Sequence, residues 1–213
     1  MIRSNDFAND SLTTRAERLD LIQQVFGNYA AELIGLPAAV ATWANGSPYT
    51  DYTTARTQRA MEEGQSEDAT ALFLQKLDIL RKEYQMARTI ALDLFQMDER
   101  FNAFGFHLPY PERQEDQLHR VELVLSENTK RVTANETPVL PPAMITRLQN
   151  ALAEATTTDD ARDEEERDAI NARRHFITRW NEDTKNLRTL YRWCIMTWGD
   201  DDVKLNFLGF VRS

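Results

Sequence analysis

The chain has 213 residues, with 25 Lys and Arg against 34 Asp and Glu, for a net charge of −9. Seven Gly and seven Pro make up about 7% of it, against an ordinary share of about 12%, while 42% is apolar and 28% charged. These proportions exclude collagen-like, disulfide-scaffold and wholly disordered chains, and point to long helices rather than a turn-rich β fold.

Ser11 opens the first predicted element. Leu12, Leu19, Ile22, Phe26, Tyr29, Leu33 and Leu36 follow a heptad seam, with Arg15, Glu17, Arg18, Asp20, Gln23 and Gln24 off it. Pro37 interrupts the ladder. Asn45-Gly46-Ser47-Pro48 is a second breaker, in which Ser47 can cap and Pro48 can take the first helical position. A helix then runs to Glu63, Gly64-Gln65-Ser66 reads as a turn, and a long helix from Glu67 to about Met97 carries Phe73, Leu77, Leu80, Tyr84, Ala87, Ala91 and Leu94 on one face. Phe101 to Glu112 reads as a linker, because Gly105, Pro109 and Pro111 fall within it. A helix seeded by Leu118, Val121 and Leu125 follows, then a polar loop ending at Pro138, Pro141 and Pro142. A short helix over about 142–155, a turn at Thr156–Asp160 and a last long helix to about Trp198 complete the chain. That last helix aligns Phe176, Trp180, Leu187, Tyr191, Cys194 and Trp198 within about 60° at 100° per residue. No stretch alternates as a strand does. The expectation is an all-α bundle of long antiparallel helices, divided into an N-terminal half over 1–106, a Pro-containing linker over 107–116 and a C-terminal half over 117–213, or one continuous bundle.

A shift of 104 residues lays 36–106 on 140–210 without a gap and gives 12 identities. They concentrate at the two ends. Leu36-Pro37-x-Ala39-x-x-Thr42 matches Leu140-Pro141-x-Ala143-x-x-Thr146, and Asp98-x-x-x-Asn102-x-x-Gly105-Phe106 matches Asp202-x-x-x-Asn206-x-x-Gly209-Phe210. A glycine past a helix end can take the left-handed conformation and fold the next residue back. The expectation is two related helical hairpins, with Gly105 and Gly209 at equivalent ends; chance recurrence of a common helix ending is the alternative.

Charge is spread evenly along the chain, without a basic face large enough to neutralise many phosphates, so no nucleic-acid partner is expected. The first ten residues lack the apolar core of a signal peptide. No run reaches the roughly 18 apolar residues that span a bilayer. A cytoplasmic protein without membrane insertion is the expectation. Cys194 is the one cysteine and lies on an apolar stripe, so it reads as a packed thiol rather than a nucleophile. A di-metal bundle needs Glu-x-x-His pairs, whereas His175 follows Ala172 and His119 follows Asp116 at that spacing. Glu115 and His119 make half of a zinc site with nothing to complete it. The acidic run Asp159–Asp168 reads as the first turns of a helix, and Asp200-Asp201-Asp202 as a cap. No catalytic residue, metal or cofactor is assigned.

Trp193 lies about 100–140° from the stripe of Tyr191 and Trp198, with Met196 beyond it, and Leu74 and Leu92 lie opposite the main face of the earlier long helix. Helices apolar on two sides are buried twice, within a bundle or against a partner. Trp193, Met196, Leu74 and Leu92 are therefore the interface candidates. The functional expectation is a non-enzymatic structural or interaction protein that self-associates or binds another protein. The alternative is an enzyme or ligand binder with a pocket between helices, which would need Lys76, Glu83 and Arg88 to converge inward.

Overall fold

Ser11 accepts a hydrogen bond from the Thr14 backbone N–H at 3.0 Å and so caps the first α-helix, α1, over Leu12–Tyr29. A computed structural model describes residues 6–199 and 202–210 of the chain; the expected cap at Asp200 and Asp201 lies outside them. A short 3-10 turn, Asp6–Asn9, precedes α1. Six further α-helices follow: α2 (Ala38–Asn45), α3 (Pro48–Phe95), α4 (Glu99–Ala103), α5 (Gln114–Thr133), α6 (Pro142–Trp198) and α7 (Asp202–Phe207). Among the described residues there is no strand, and the protein is all-α.

Three local expectations are corrected. The turns expected at Gly64–Ser66 and Thr156–Asp160 are helical, inside α3 and α6. One glycine in a helix costs about 1 kcal/mol, too little to end a helix held by packing on both sides. In α6 the Thr157 and Thr158 hydroxyls donate to the carbonyls of Ala153 and Glu154, and Arg162 pairs with Asp159 at 2.7 Å, so the polar residues are satisfied without leaving the helix. The expected linker is packed: Phe101, Phe104 and Phe106 are fully buried around α4. The seam of α1 is shifted as well. Leu12 is 40% exposed, while Arg15 is fully buried with Leu19, Ile22 and Phe26.

The chain forms two compact units. Unit 1 comprises Met1–Glu63 with Asp168–Ser213, and unit 2 comprises Gly64–Arg167. These bounds cut α3 and α6 mid-helix and differ from the expected halves. Between Ala55 and Phe73 on α3, and between Ala155 and Ala169 on α6, no residue is buried, so each unit gathers its core at one side of those stretches.

In unit 1, α1 and α2 with the first part of α3 meet the last part of α6 and α7. Trp43 meets Asp183, Tyr52 meets Phe176 and Glu63 meets Arg173, so the paired segments run antiparallel. The core joins Leu19, Ile22, Phe26, Leu187, Leu190, Cys194 and Leu205. Phe7, Tyr191 and Phe210 close one end with ring centroids 5.3–5.9 Å apart.

In unit 2, the remainder of α3 with α4 packs on α5 and the first part of α6. Lys76 pairs with Glu154 at 2.8 Å and Arg147 with Glu83 at 2.7 Å, again antiparallel. Phe95, Phe104, Phe106 and Phe101 form a chain of rings 5.5–5.6 Å apart, extended by Tyr84.

The two ends of the proposed repeat share local geometry. The Val40 and Ala41 N–H groups both bond the Pro37 carbonyl, as those of Met144 and Ile145 bond Pro141. Gly105 and Gly209 have φ of +75° and +74°, and their N–H groups bond Asn102 and Asn206. The gapless register does not hold through the long helices, because it sets buried Phe73 opposite Ile177, which is 50% exposed. Phe73, Leu80, Tyr84, Ala87 and Ala91 instead share their burial with Phe176, Asp183, Leu187, Leu190 and Cys194, an offset of 103.

Candidate functional site

The most unusual chemistry lies in the core of unit 1. The spacing 15-19-22-26 places Arg15 on the buried stripe of α1, and its guanidinium lies 4.0 Å from the centre of the Trp180 ring. Arg15 donates from Nη1 to the Thr184 hydroxyl at 3.0 Å and from Nη2 to the Phe7 carbonyl, and its Nε lies 3.3 Å from the Asp10 carboxylate. Burial pulls its pKa down, opposed by Asp10 and Asp183. One turn of α6 supplies the other charge. Asp183 is fully buried; its Oδ1 accepts from the Trp43 indole at 2.9 Å and lies 3.2 Å from Nε of Arg179. Its Oδ2 is buried without a hydrogen bond. Desolvation pushes the carboxyl up to about 6, against the pull of Arg179, Trp43 and Arg15.

Two aromatic planes, two arginines and a buried carboxylate thus interlock α1, α2 and α6. Arg15 and Asp183 are closed to solvent while Trp43, Arg179 and Trp180 are partly exposed around them, so what the cluster can do chemically is hold or release one proton at Asp183. Sequence reasoning missed Arg15 and Asp183 because their residue types are those of solvated faces. Their spacing, continuous with the apolar stripes, was the signal.

Unit 2 has no such centre. Tyr110 is half-buried beside Tyr84, and burial pushes its hydroxyl up to about 12. Arg120 donates to the Gly105 carbonyl at 2.7 Å and Arg88 to that of Phe106 at 2.9 Å, which ties the closing turn to α5 and α3.

The four interface candidates divide between the units. Trp193 is half-buried against the core of unit 1, beside Gly35, and Met196 is 66% exposed. In unit 2, Leu74 and Leu92 are exposed on one flank of the buried stripe of α3. Sequence reasoning missed the opposite flank, where Leu72, Ile79 and Met86 repeat every seven residues and are also exposed.

Lys76, Glu83 and Arg88 do not converge: the first two pair with Glu154 and Arg147, and Arg88 bonds a carbonyl. Cys194 is buried, and desolvation raises its thiol to about 12. An open groove of about 400 Å³ lies between Gln58 and Glu62 of α3 and Asp168, Asn171 and His175 of α6. Another, of about 680 Å³, is lined by Tyr110, Glu112, Asp116, His119 and Arg120. Among the described residues no three His, Cys, Asp or Glu side chains are grouped to hold a metal, and no helix is long and apolar enough to cross a membrane. Comparison with known proteins found no matching family, curated protein or solved structure.

Proposed function

We propose that this chain is a non-enzymatic helical-bundle interaction protein of the cytoplasm that self-associates through the flanks of α3 in unit 2. The observation that carries this reading is a helix already buried along one stripe that also exposes large apolar side chains on both flanks. Leu74 and Leu92 lie on one side, and Leu72, Ile79 and Met86 on the other. An apolar stripe at seven-residue spacing is the pattern by which one helix seats on another. Trp193 and Met196 belong to the same reading as a second apolar surface, on unit 1.

The reading includes an ancient duplication. The paired Pro37 and Pro141 turns and the paired left-handed Gly105 and Gly209 support it. So do the contacts of those glycines: a Cβ at Gly105 would meet Leu123 and Arg120 of α5, and one at Gly209 would meet Leu21 and Arg18 of α1. In both cases the partner residues are three apart on a helix that precedes one of the two repeated segments.

Light scattering of the full chain tests the self-association. The expected result is a mass above one chain that falls on dilution, and that Ile79→Asp with Met86→Asp or Leu74→Asp with Leu92→Asp reduces to a monomer of unchanged helicity. A chain that is monomeric at every concentration sinks the reading. Trp193→Asp separates the surfaces: loss of mass places Trp193 between copies, and loss of stability places it in the core.

A further inference from the structure

We propose that the face of α6 carrying Asn181, Lys185, Arg188 and Arg192 is a binding groove for a soluble oligophosphate, a short linear chain of phosphoryl groups free or borne on a nucleotide. These four residues fall within about 60° of one another at 100° per residue. They line a groove of about 600 Å³ that also touches Ala8 and Trp180.

Among the described residues every charged group lining this groove is a cation, whereas the two grooves described above carry Glu62 and Asp168, or Glu112 and Asp116. Among the described residues, no carboxylate pairs with Lys185, Arg188 or Arg192, and the Nε of Arg188 is buried without a partner. The hydroxyl hydrogens of Thr184 and Thr189 are already given to the carbonyls of Trp180 and Lys185. The hydrogens left to donate belong to Asn181, the Trp180 indole and the three cations, and a matching ligand is rich in acceptors and negative charge.

The geometry narrows the class further. Lys185 to Arg192 spans seven residues, about 10 Å of helix rise. Side chains extended from the helix set their three charges along a line, which a triphosphate matches and a single orthophosphate does not. Guanidinium groups bind phosphoryl oxygens as planar forks. A long polyanion is disfavoured by the net charge of −9, since three cations release few counterions against that repulsion. The ligand is therefore short.

Titration calorimetry of the full chain with inorganic tripolyphosphate at near-physiological salt tests the site. Saturable binding is expected, at least about tenfold tighter than that of orthophosphate or citrate, since each further charged contact contributes about one decade. Lys185→Gln and Arg192→Gln, both at exposed positions, are each expected to weaken it about tenfold without loss of helicity, and Arg188→Gln at least as much. Lys82→Gln, which removes an exposed cation paired with Asp78 at 2.6 Å on α3, is expected to leave it unchanged. Absence of tripolyphosphate binding, equal binding of citrate, or an equal loss in the Lys82 variant overturns the proposal. Capture by vesicles with multiply phosphorylated headgroups, without binding of tripolyphosphate, also overturns it by making a lipid surface the ligand.

Discussion

Leu80 and Asp183 stand at the same distance from the ends of their long helices, fifteen residues before Phe95 and Trp198, and both are fully buried. In unit 2 that position holds a leucine within an apolar core that includes five phenylalanines. In unit 1 it holds a carboxylate with an indole and two arginines around it. The same helical frame therefore supports two kinds of core, and the difference lies in what the neighbouring helices provide. Asp183 is tolerated because α6 itself brings Arg179, α2 brings the Trp43 indole and α1 brings the charge of Arg15. Nothing equivalent faces Leu80.

The largest effect is expected from moving the carboxylate to the other unit. Leu80→Asp buries a charge without partners and is expected to cost more than about 4 kcal/mol. All four tryptophans, at 43, 180, 193 and 198, belong to unit 1, so their fluorescence follows that unit while circular dichroism follows both. In urea the dichroism midpoint is expected to fall well before the fluorescence midpoint. Coincident shifts would make the two units one cooperative block and remove the basis of the comparison.

Next comes the cation. Arg15→Ala leaves the Thr184 hydroxyl and the Phe7 carbonyl without their shared donor and removes the buried cation beside Asp10, and breaking a buried pair from one side costs about 3–5 kcal/mol. Both the fluorescence and the dichroism midpoints should fall. A loss under about 1 kcal/mol, the value of an exposed ion pair, would show that Arg15 is not the keystone of unit 1.

The two units also differed in how far they could be read from sequence. The start of α1 near Ser11, the triplet Leu19, Ile22 and Phe26, the stripes of α3 and α6, and the end of α6 at Trp198 were all legible, because apolar periodicity and helix-end signals are local. Arg15 and Asp183 were not, because a charged residue type outweighs one periodic position in such a reading. Gly64 and Thr156–Asp160 misled for the opposite reason: their breaker character is local and small, and the helices are held from outside those stretches. The packing of Phe101, Phe104 and Phe106 was hidden by the glycine and prolines among which they stand.

Protonation sharpens the contrast at lower cost. The Asp183 carboxyl is raised from its ordinary 3.8 to about 6 in the fold. The folded state therefore holds a proton there that the unfolded state has released, and this contribution to stability is complete below about pH 4 and lost as pH rises through about 6. Its size is about 2–3 kcal/mol. Asp183→Asn keeps an acceptor for Trp43 and removes the titration, so the stability of the native chain relative to this variant is expected to fall between pH 4 and 6. A flat difference would show that Arg179 and Arg15 compensate the carboxylate fully.

The smallest expected effects compare three glycines. Gly105 and Gly209 close α4 and α7 with φ near +75°, and a Cβ on either would approach a side-chain carbon at 3.1 Å, on Leu123 or Arg18. Left-handed backbone costs an L-residue about 1–2 kcal/mol, so Gly105→Ala and Gly209→Ala should each destabilise by at least about that amount and by similar values. Gly64 is the opposite case: it lies inside α3, and a Cβ there meets nothing within 4 Å. Alanine reduces the entropy of the unfolded chain and strengthens the helix, so Gly64→Ala should stabilise by about 0.5–1 kcal/mol. Urea midpoints of the three variants decide the matter by sign as well as size. Unequal losses at 105 and 209 would separate the two closing turns energetically despite their matching dihedrals. A loss at 64 would mean that α3 needs its glycine where the two units divide, and that the continuity of the helix is held against a local preference to bend.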